Sequence, residues 1–332
     1  MKPWLYALTA LFACDTPIDT ADSDTSGAID DTADTAEACE VHLIGVTPTD
    51  GALGVYYRDP VYLSFDGDAA TAVFEVRDPQ GVAATLAAEW GPGNTLVTLS
   101  GVLTPSTEYT VHVELCGVQT DTHFTTSALG TPLTISPDAL IGRTFSFALR
   151  DAEITEPPAL EILGDASLTT PLGFMVQDAD DTVLELLGGV LEYTETDLVQ
   201  MTNAETWDFP SADFTESPYF HTAIDELTIV YRTETIPKTD IRLYAFEFDG
   251  LFSPDGTAIE NGRVEALVDT RTLGPLLNLP DAVDSVCVYA EPFAIECIPC
   301  PDAEPYCIFM IGEDITAPWV EGLELTPFTG AE

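Results

Sequence analysis

Positive charge is almost missing from this chain. Ten lysines and arginines stand against 57 aspartates and glutamates in 332 residues, a formal net charge of −47, and only Lys2 and Lys238 are lysines. Nucleic acids are held mainly by Lys and Arg neutralising phosphates, so DNA, RNA and anionic lipid head groups are poor partners for this surface. Histidine is equally scarce, with four residues: His42, His112, His123 and His221. No Gly-x-Ser-x-Gly elbow, His-Glu-x-x-His pair or phosphate-cradling glycine loop occurs, which removes the common hydrolase, zinc-protease and nucleotide-binding signatures. No catalytic residue is assigned, and the expected role is non-enzymatic.

What is present is apolar and aromatic material for real cores. Apolar residues make up 45% of the chain, with 16 Phe, 11 Tyr and 4 Trp, and the length suits about two domains of ~100–200 residues. At the N-terminus, Met1-Lys2-Pro3 precedes an apolar stretch from Trp4 to Phe12. That is shorter than the ~20 residues a membrane-spanning helix needs, and it suits a secretory signal peptide over residues 1–13.

The stretch ends in Leu11-Phe12-Ala13-Cys14, which resembles the lipobox of bacterial lipoproteins. The resemblance implies lipidation of Cys14 and a membrane partner through the lipid anchor. Two or three acyl chains hold durably where one binds marginally. The envelope is the expected location, the outer membrane or cell surface ahead of the inner membrane, although Asp15 is similar to an inner-membrane retention signal of enteric bacteria.

Residues 15–38 carry eight acids, no base and no aromatic. They cannot bury enough apolar surface to offset chain entropy, so a tether over 14–38 is expected, about 27 Å long as a random coil and longer under self-repulsion. Asp22, Asp24, Ser26 and Gly27 fall at calcium-loop spacing, but position 12 of that loop is Ala33, so a solvated linker is expected there.

Six cysteines remain besides Cys14: Cys39, Cys116, Cys287, Cys297, Cys300 and Cys307. An even number in an exported chain reads as disulfides. The last four, spaced C-x9-C-x2-C-x6-C, can pair in three ways, and a zinc site is the alternative use of four thiolates.

Residues 39–130 are written in period two. Val61, Leu63 and Phe65 alternate with Tyr62 and Ser64, and Tyr109, Val111, Val113 and Leu115 with Thr110, His112 and Glu114. Turn clusters such as Thr49-Asp50-Gly51 and Pro79-Gln80-Gly81 separate the runs, as in a β-sandwich. Thr47-Pro48-Thr49-Asp50-Gly51-Ala52-Leu53-Gly54-Val55 and Leu103-x-Pro105-x-Thr107-x-Tyr109 resemble the S-layer-type bacterial Ig-like domains called Big-5. That implies a tyrosine corner at Tyr109 and places Cys39 and Cys116 near each other, at the start of the first strand and the end of the sixth. The histidines of this module are read as surface residues.

Residues 131–332 continue the alternation and predict a larger β-sandwich or barrel-like domain with little helix, making the whole chain all-β. Strands are expected near 227–233, 241–249 and 263–269, with turns at Ser253-Pro254-Asp255-Gly256 and Asn261-Gly262. A short helix is expected over Asp269–Leu279, where Leu273, Leu276 and Leu277 sit at helical spacing. The stretch Ile241 to Asp269, followed by Cys-Pro-Asp around Cys300 and Cys307, is similar to the C-terminal halves of uncharacterised lipoproteins of myxobacteria-like organisms, a likeness that implies no activity.

The candidate ligand loop is Asn203 to Phe220, in which Trp207, Phe209, Phe214, Tyr219 and Phe220 interleave with Glu205, Asp208, Asp213 and Glu216. Trp207, Asp208, Phe209, Asp213 and Tyr219 combine the flat faces and acids that sugar surfaces use. The competing account is a loop that packs its aromatics on the core. No cofactor is expected, calcium being the one ion for which Asp178, Asp180 and Asp181, or Asp249 with Asp255, offer turn ligands. The leading expectation is a lipid-anchored envelope protein with a structural, adhesive or spacer role, meeting envelope glycan or protein. A carbohydrate- or calcium-binding module is the alternative, and an extracellular hydrolase the remote one.

Overall fold

A computed structural model describes residues 40–158, 169–231 and 239–329. The first eight strands are β1 (Leu43–Thr47), β2 (Ala52–Val55), β3 (Val61–Phe65), β4 (Val73–Arg77), β5 (Ala87–Trp90), β6 (Leu96–Ser100), β7 (Glu108–Leu115) and β8 (Val118–Thr126). They form two four-stranded sheets, β1-β3-β6-β5 and β2-β8-β7-β4, with β2 running parallel to β8. This is the two-sheet order of an immunoglobulin sandwich. The alternation sets the faces: Val61, Leu63, Phe65, Val97, Leu99, Val111, Val113 and Phe124 are buried between the sheets. The Tyr109 hydroxyl accepts a hydrogen bond from the Thr104 N–H at 2.8 Å, pinning the crossing into β7, while its ring stacks on Phe124 at 5.7 Å between centroids.

The chain then leaves through Gly130, whose φ is +85°. A Cβ there would lie 2.3 Å from the Tyr57 ring, so only glycine passes. Thr134 is pinned to the carbonyl of Pro254 by its backbone N–H at 2.7 Å and its hydroxyl at 2.8 Å.

The second sandwich uses β9 (Thr144–Ala148), β10 (Glu153–Glu156), β11 (Pro171–Ala179), β12 (Val183–Tyr193), β13 (Leu198–Gln200), β14 (Thr206–Asp208), β15 (Ala212–Asp213), β16 (Tyr219–Tyr231), β17 (Thr239–Phe252), β18 (Ala258–Asp269) and β19 (Cys307–Pro318). One sheet runs β10-β19-β18-β17-β16. The other runs β13-β12-β11-β9, with β14 and β15 also paired to β12. Phe147 and Phe174 from the second sheet meet Phe248 from the first at 5.5 and 4.8 Å between centroids, in a core of buried aromatics and aliphatics.

Two local expectations change. Asp269–Leu279 is not an α-helix: a 3₁₀ turn covers Gly274–Leu277 and Asn278 follows in the left-handed region. Pro275 offers no N–H to a longer helix, and Gly274 packs so tightly on Ser285 and Pro280 that a Cβ would come within 2.8 Å of both. The helix lies further on, as α1 (Ser285–Ala290). Asn261-Gly262 is not a turn between strands either. It sits inside β18, at register shifts between Ile259, Gly262 and Val264, with Asn261 at φ +48°, so the Asn and Gly serve a β-bulge.

The four-cysteine cluster pairs sequentially, Cys287 with Cys297 and Cys300 with Cys307, at Cα–Cα distances of 5.7 and 5.1 Å. Cys116 is also disulfide-bonded. Cys39, its expected partner, lies outside the described residues, as do Cys14, the signal segment and the tether. Disulfides persist in oxidising compartments, so the protein is extracytoplasmic. No helix among the described residues is long and apolar enough to cross a membrane.

Candidate functional site

The aromatic loop is resolved by alternation. Trp207 and Phe209 point into the core at 5% and 6% exposure, Phe214 and Phe220 are fully buried, and Asp208 and Asp213 face solvent. Trp207 sits on the Gly188 backbone of β12, where a Cβ would be 2.6 Å from the indole and 2.8 Å from the Phe209 ring. Its Nε1 is buried without a partner. The Asp213 carboxylate accepts from the Thr215 N–H and hydroxyl at 2.9 and 2.7 Å, bonds that hold its pKa below the usual value. Of the five residues expected to form a ligand surface, the structure brings Asp213 and Tyr219 to a shared hollow of about 600 Å³ with Glu216 and His221. The other aromatics belong to the core, and the strict in-and-out order Trp207, Asp208, Phe209 was the signal for it.

Tyr219 is half-buried because Arg58 of the first sandwich covers it, its guanidinium carbon 3.6 Å from the ring centroid. Arg58 also pairs with Glu216 and donates from Nε to the Tyr57 hydroxyl at 3.2 Å. Beneath it the Tyr219 hydroxyl donates to Asp249 Oδ1 at 2.6 Å, and His221 Nδ1 lies 3.0 Å from the same oxygen. Burial first, and the bond to Asp249 second, push the Tyr219 hydroxyl well above the usual tyrosine range. Asp249 Oδ2 is 3.9 Å from Arg263 Nη1, and Arg263 pairs with Glu265 and with Glu313 at 3.3 Å. One polar network therefore runs from the Ig-like sandwich across to β16–β19. Arg58 was not among the residues singled out in sequence, since an isolated Arg in a loop carries no local pattern.

Beside this network lies a cleft of about 830 Å³ between the two sandwiches. One wall comes from the ends of β1 and β2 and the residues that follow each of them, Thr47, Pro48, Val55, Tyr56 and Asp59, with Tyr62 of β3. The other comes from the bulged stretches of β18 and β19, at Asn261, Arg263, Glu313 and Asp314. Asn261 and Asp314 both have positive φ, +48° and +56°, and their strands pair nearby at Gly262 and Ile315. The Asn261 side chain reaches the Tyr56 hydroxyl, and burial raises the Tyr56 pKa above the usual range. Partial burial, with Glu313 adding repulsion, lifts the Asp59 carboxyl above its ordinary value.

Of the acids that offered turn ligands for calcium, Asp180 and Asp255 accept hydrogen bonds within their own turns, and Asp249 accepts from Tyr219. Asp180 Oδ1 accepts from the Thr182 N–H, the Thr182 hydroxyl and the Val183 N–H at 2.7–2.8 Å. Asp255 Oδ1 accepts from Ser253 and Thr257 at 2.7–3.1 Å. Among the described residues no group of three or more His, Cys, Asp or Glu is arranged to hold a metal ion. Each of the four histidines lies beside an aspartate: His42 with Asp66, His112 with Asp121, His123 with Asp50 and His221 with Asp249.

No family model matches this chain, and no curated protein sequence matches it. Among solved structures it is similar to CopC from Methylosinus trichosporium, at 18% identity over 26% of this chain and 93% of that one, with a TM-score of 0.24. An LD transpeptidase in complex with imipenem aligns at 15% identity over 65% of this chain and 77% of that one, TM-score 0.20. A segment of native alpha-2-macroglobulin from Escherichia coli aligns at 12% identity over 63% of this chain and 93% of that one, TM-score 0.22. These likenesses assign neither a family nor an activity.

Proposed function

We propose that this chain is a lipid-anchored protein of the bacterial cell envelope that acts without catalysis, as a rigid structural or adhesive module held off the membrane by an acidic tether. The observation that carries this reading is the junction at Arg58. Stacking on Tyr219 and pairing with Glu216 join the Ig-like sandwich to the second one, and Val41–Glu332 packs as one compact unit. A fixed junction transmits position, which a spacer or display module requires and two freely jointed domains do not supply. The loop aromatics Trp207, Phe209, Phe214 and Phe220 fill the core of the second sandwich, and Asp180 and Asp255 accept hydrogen bonds within their own turns. The lipobox-like Cys14 supplies the anchor in this reading.

Fractionating cells that express the wild type and Cys14→Ser tests it. The wild type is expected in the membrane fraction, released only by detergent, and Cys14→Ser in the soluble extracytoplasmic fraction. Equal membrane association of the two would overturn the anchor.

A further inference from the structure

The cleft between the two sandwiches has the chemistry of a ligand site that neither sandwich contains alone. Small-molecule sites favour domain junctions and occupy roughly 300–1,000 Å³, and this cleft, at about 830 Å³, falls in that range. Its lining mixes donors and acceptors. Asn261 and Arg263 donate, Asp59, Glu313 and Asp314 accept, and the tyrosine hydroxyls do both. A ligand that is only a cation leaves the donors unused, and an anion meets three carboxylates on a protein of net charge −47. Hydroxyl groups use both kinds of partner at once.

The remaining lining is apolar or aromatic. Pro48, Val55, Pro60 and Leu129 share the cleft with the rings of Tyr56 and Tyr62, and Tyr62 is 37% exposed. Such surfaces pack against the C–H face of a sugar ring, while carboxylates and amides take its hydroxyls. Arg263 is already held by Glu265 and Glu313, so its guanidinium is oriented before any ligand arrives, which lowers the ordering cost of binding. The left-handed backbone at Asn261 and Asp314 belongs to the same lining, and strained positions of this kind gather at binding sites.

We propose that this inter-sandwich cleft binds a short neutral oligosaccharide, with Tyr56 and Tyr62 packing against sugar rings and Asn261, Arg263, Asp59 and Glu313 bonding their hydroxyls. The site stands apart from the proposed envelope role: its failure leaves anchoring at Cys14 untouched, because the two are read by different measurements.

Saturation-transfer NMR and calorimetry on the full chain with maltohexaose, cellohexaose, mannohexaose and chitohexaose provide the test. At least one is expected to bind saturably, with an affinity that does not change between low and high NaCl, as befits an uncharged ligand. Tyr62→Ala weakens it about tenfold, or about 1.4 kcal/mol, whereas Tyr62→Phe keeps the ring and most of the affinity. Asn261→Gly, which retains the left-handed backbone, also weakens binding, and near-UV circular dichroism confirms that each variant is folded. If none of the four saturates, or if Tyr62→Ala and Glu313→Gln both bind like the wild type, the proposal fails.

Discussion

Asp66 shows how single carboxylates are used on this acidic surface. It accepts hydrogen bonds from the His42 backbone N–H and ring nitrogen, and these hold its pKa below the usual value. Asp50, Asp68, Asp180, Asp213, Asp255 and Asp302 are lowered in the same way by backbone or side-chain donors. A carboxyl whose folded pKa lies below its unfolded one stabilises the fold above the unfolded value, about 3.9 for Asp. That contribution is lost as pH falls through the folded value. Thermal melts from pH 7 to pH 2 should therefore show Tm dropping below about pH 4, and Asp66→Asn should lower Tm slightly at pH 7 while changing little near pH 2, which flattens part of that acid limb. An acid limb identical to wild type in Asp66→Asn would show that the His42 bonds do not lower this carboxyl. Composition alone predicted many acids. Which of them accept turn hydrogen bonds depends on backbone N–H groups brought to them by the fold.

At the scale of elements, the strands were legible because one face of each is buried. β16, β17 and β18 fall where alternation placed strands, and they extend further because paired neighbours supply hydrogen bonds past the apolar run. The segment 203–220 was harder. Aromatics interleaved with acids describe a sugar-facing loop and a short buried strand equally well, and what decides between them is Gly188 on β12, which leaves a slot for the Trp207 indole. Trp207→Ala is expected to destabilise by about 3–5 kcal/mol, the usual cost of emptying a buried aromatic site. Gly188→Ala is expected to destabilise too, because its methyl would occupy the indole's place. Chemical denaturation reads both, and a Trp207→Ala loss under 1 kcal/mol would contradict the packing described. The bulge at Asn261-Gly262 looked like a turn for a related reason: the same pair of residues supplies left-handed backbone in either setting.

For the whole molecule, the decisive element is the junction. Replacing Arg58 by Ala removes its stacking on Tyr219 and its pair with Glu216, whose side chain is 57% exposed and so screened by water. The combined loss is expected at about 1–2 kcal/mol. In calorimetry the single wild-type transition should then broaden or split as the sandwiches unfold separately. Arg58→Lys should restore only part of the coupling, since an ammonium lacks the planar face; full restoration by Lys would mean that charge alone holds the junction. The sequence by itself determined the all-β class, the paired cysteines and the export expected of them, because side-chain alternation and thiol counting are local properties of the chain. Only the tertiary structure decided how the four-cysteine cluster pairs, that the loop aromatics fill a core, and that Arg58 joins the two sandwiches beside a cleft. Each of those depends on residues far apart in the chain, Arg58 and Glu216 among them, whose meeting no local pattern encodes.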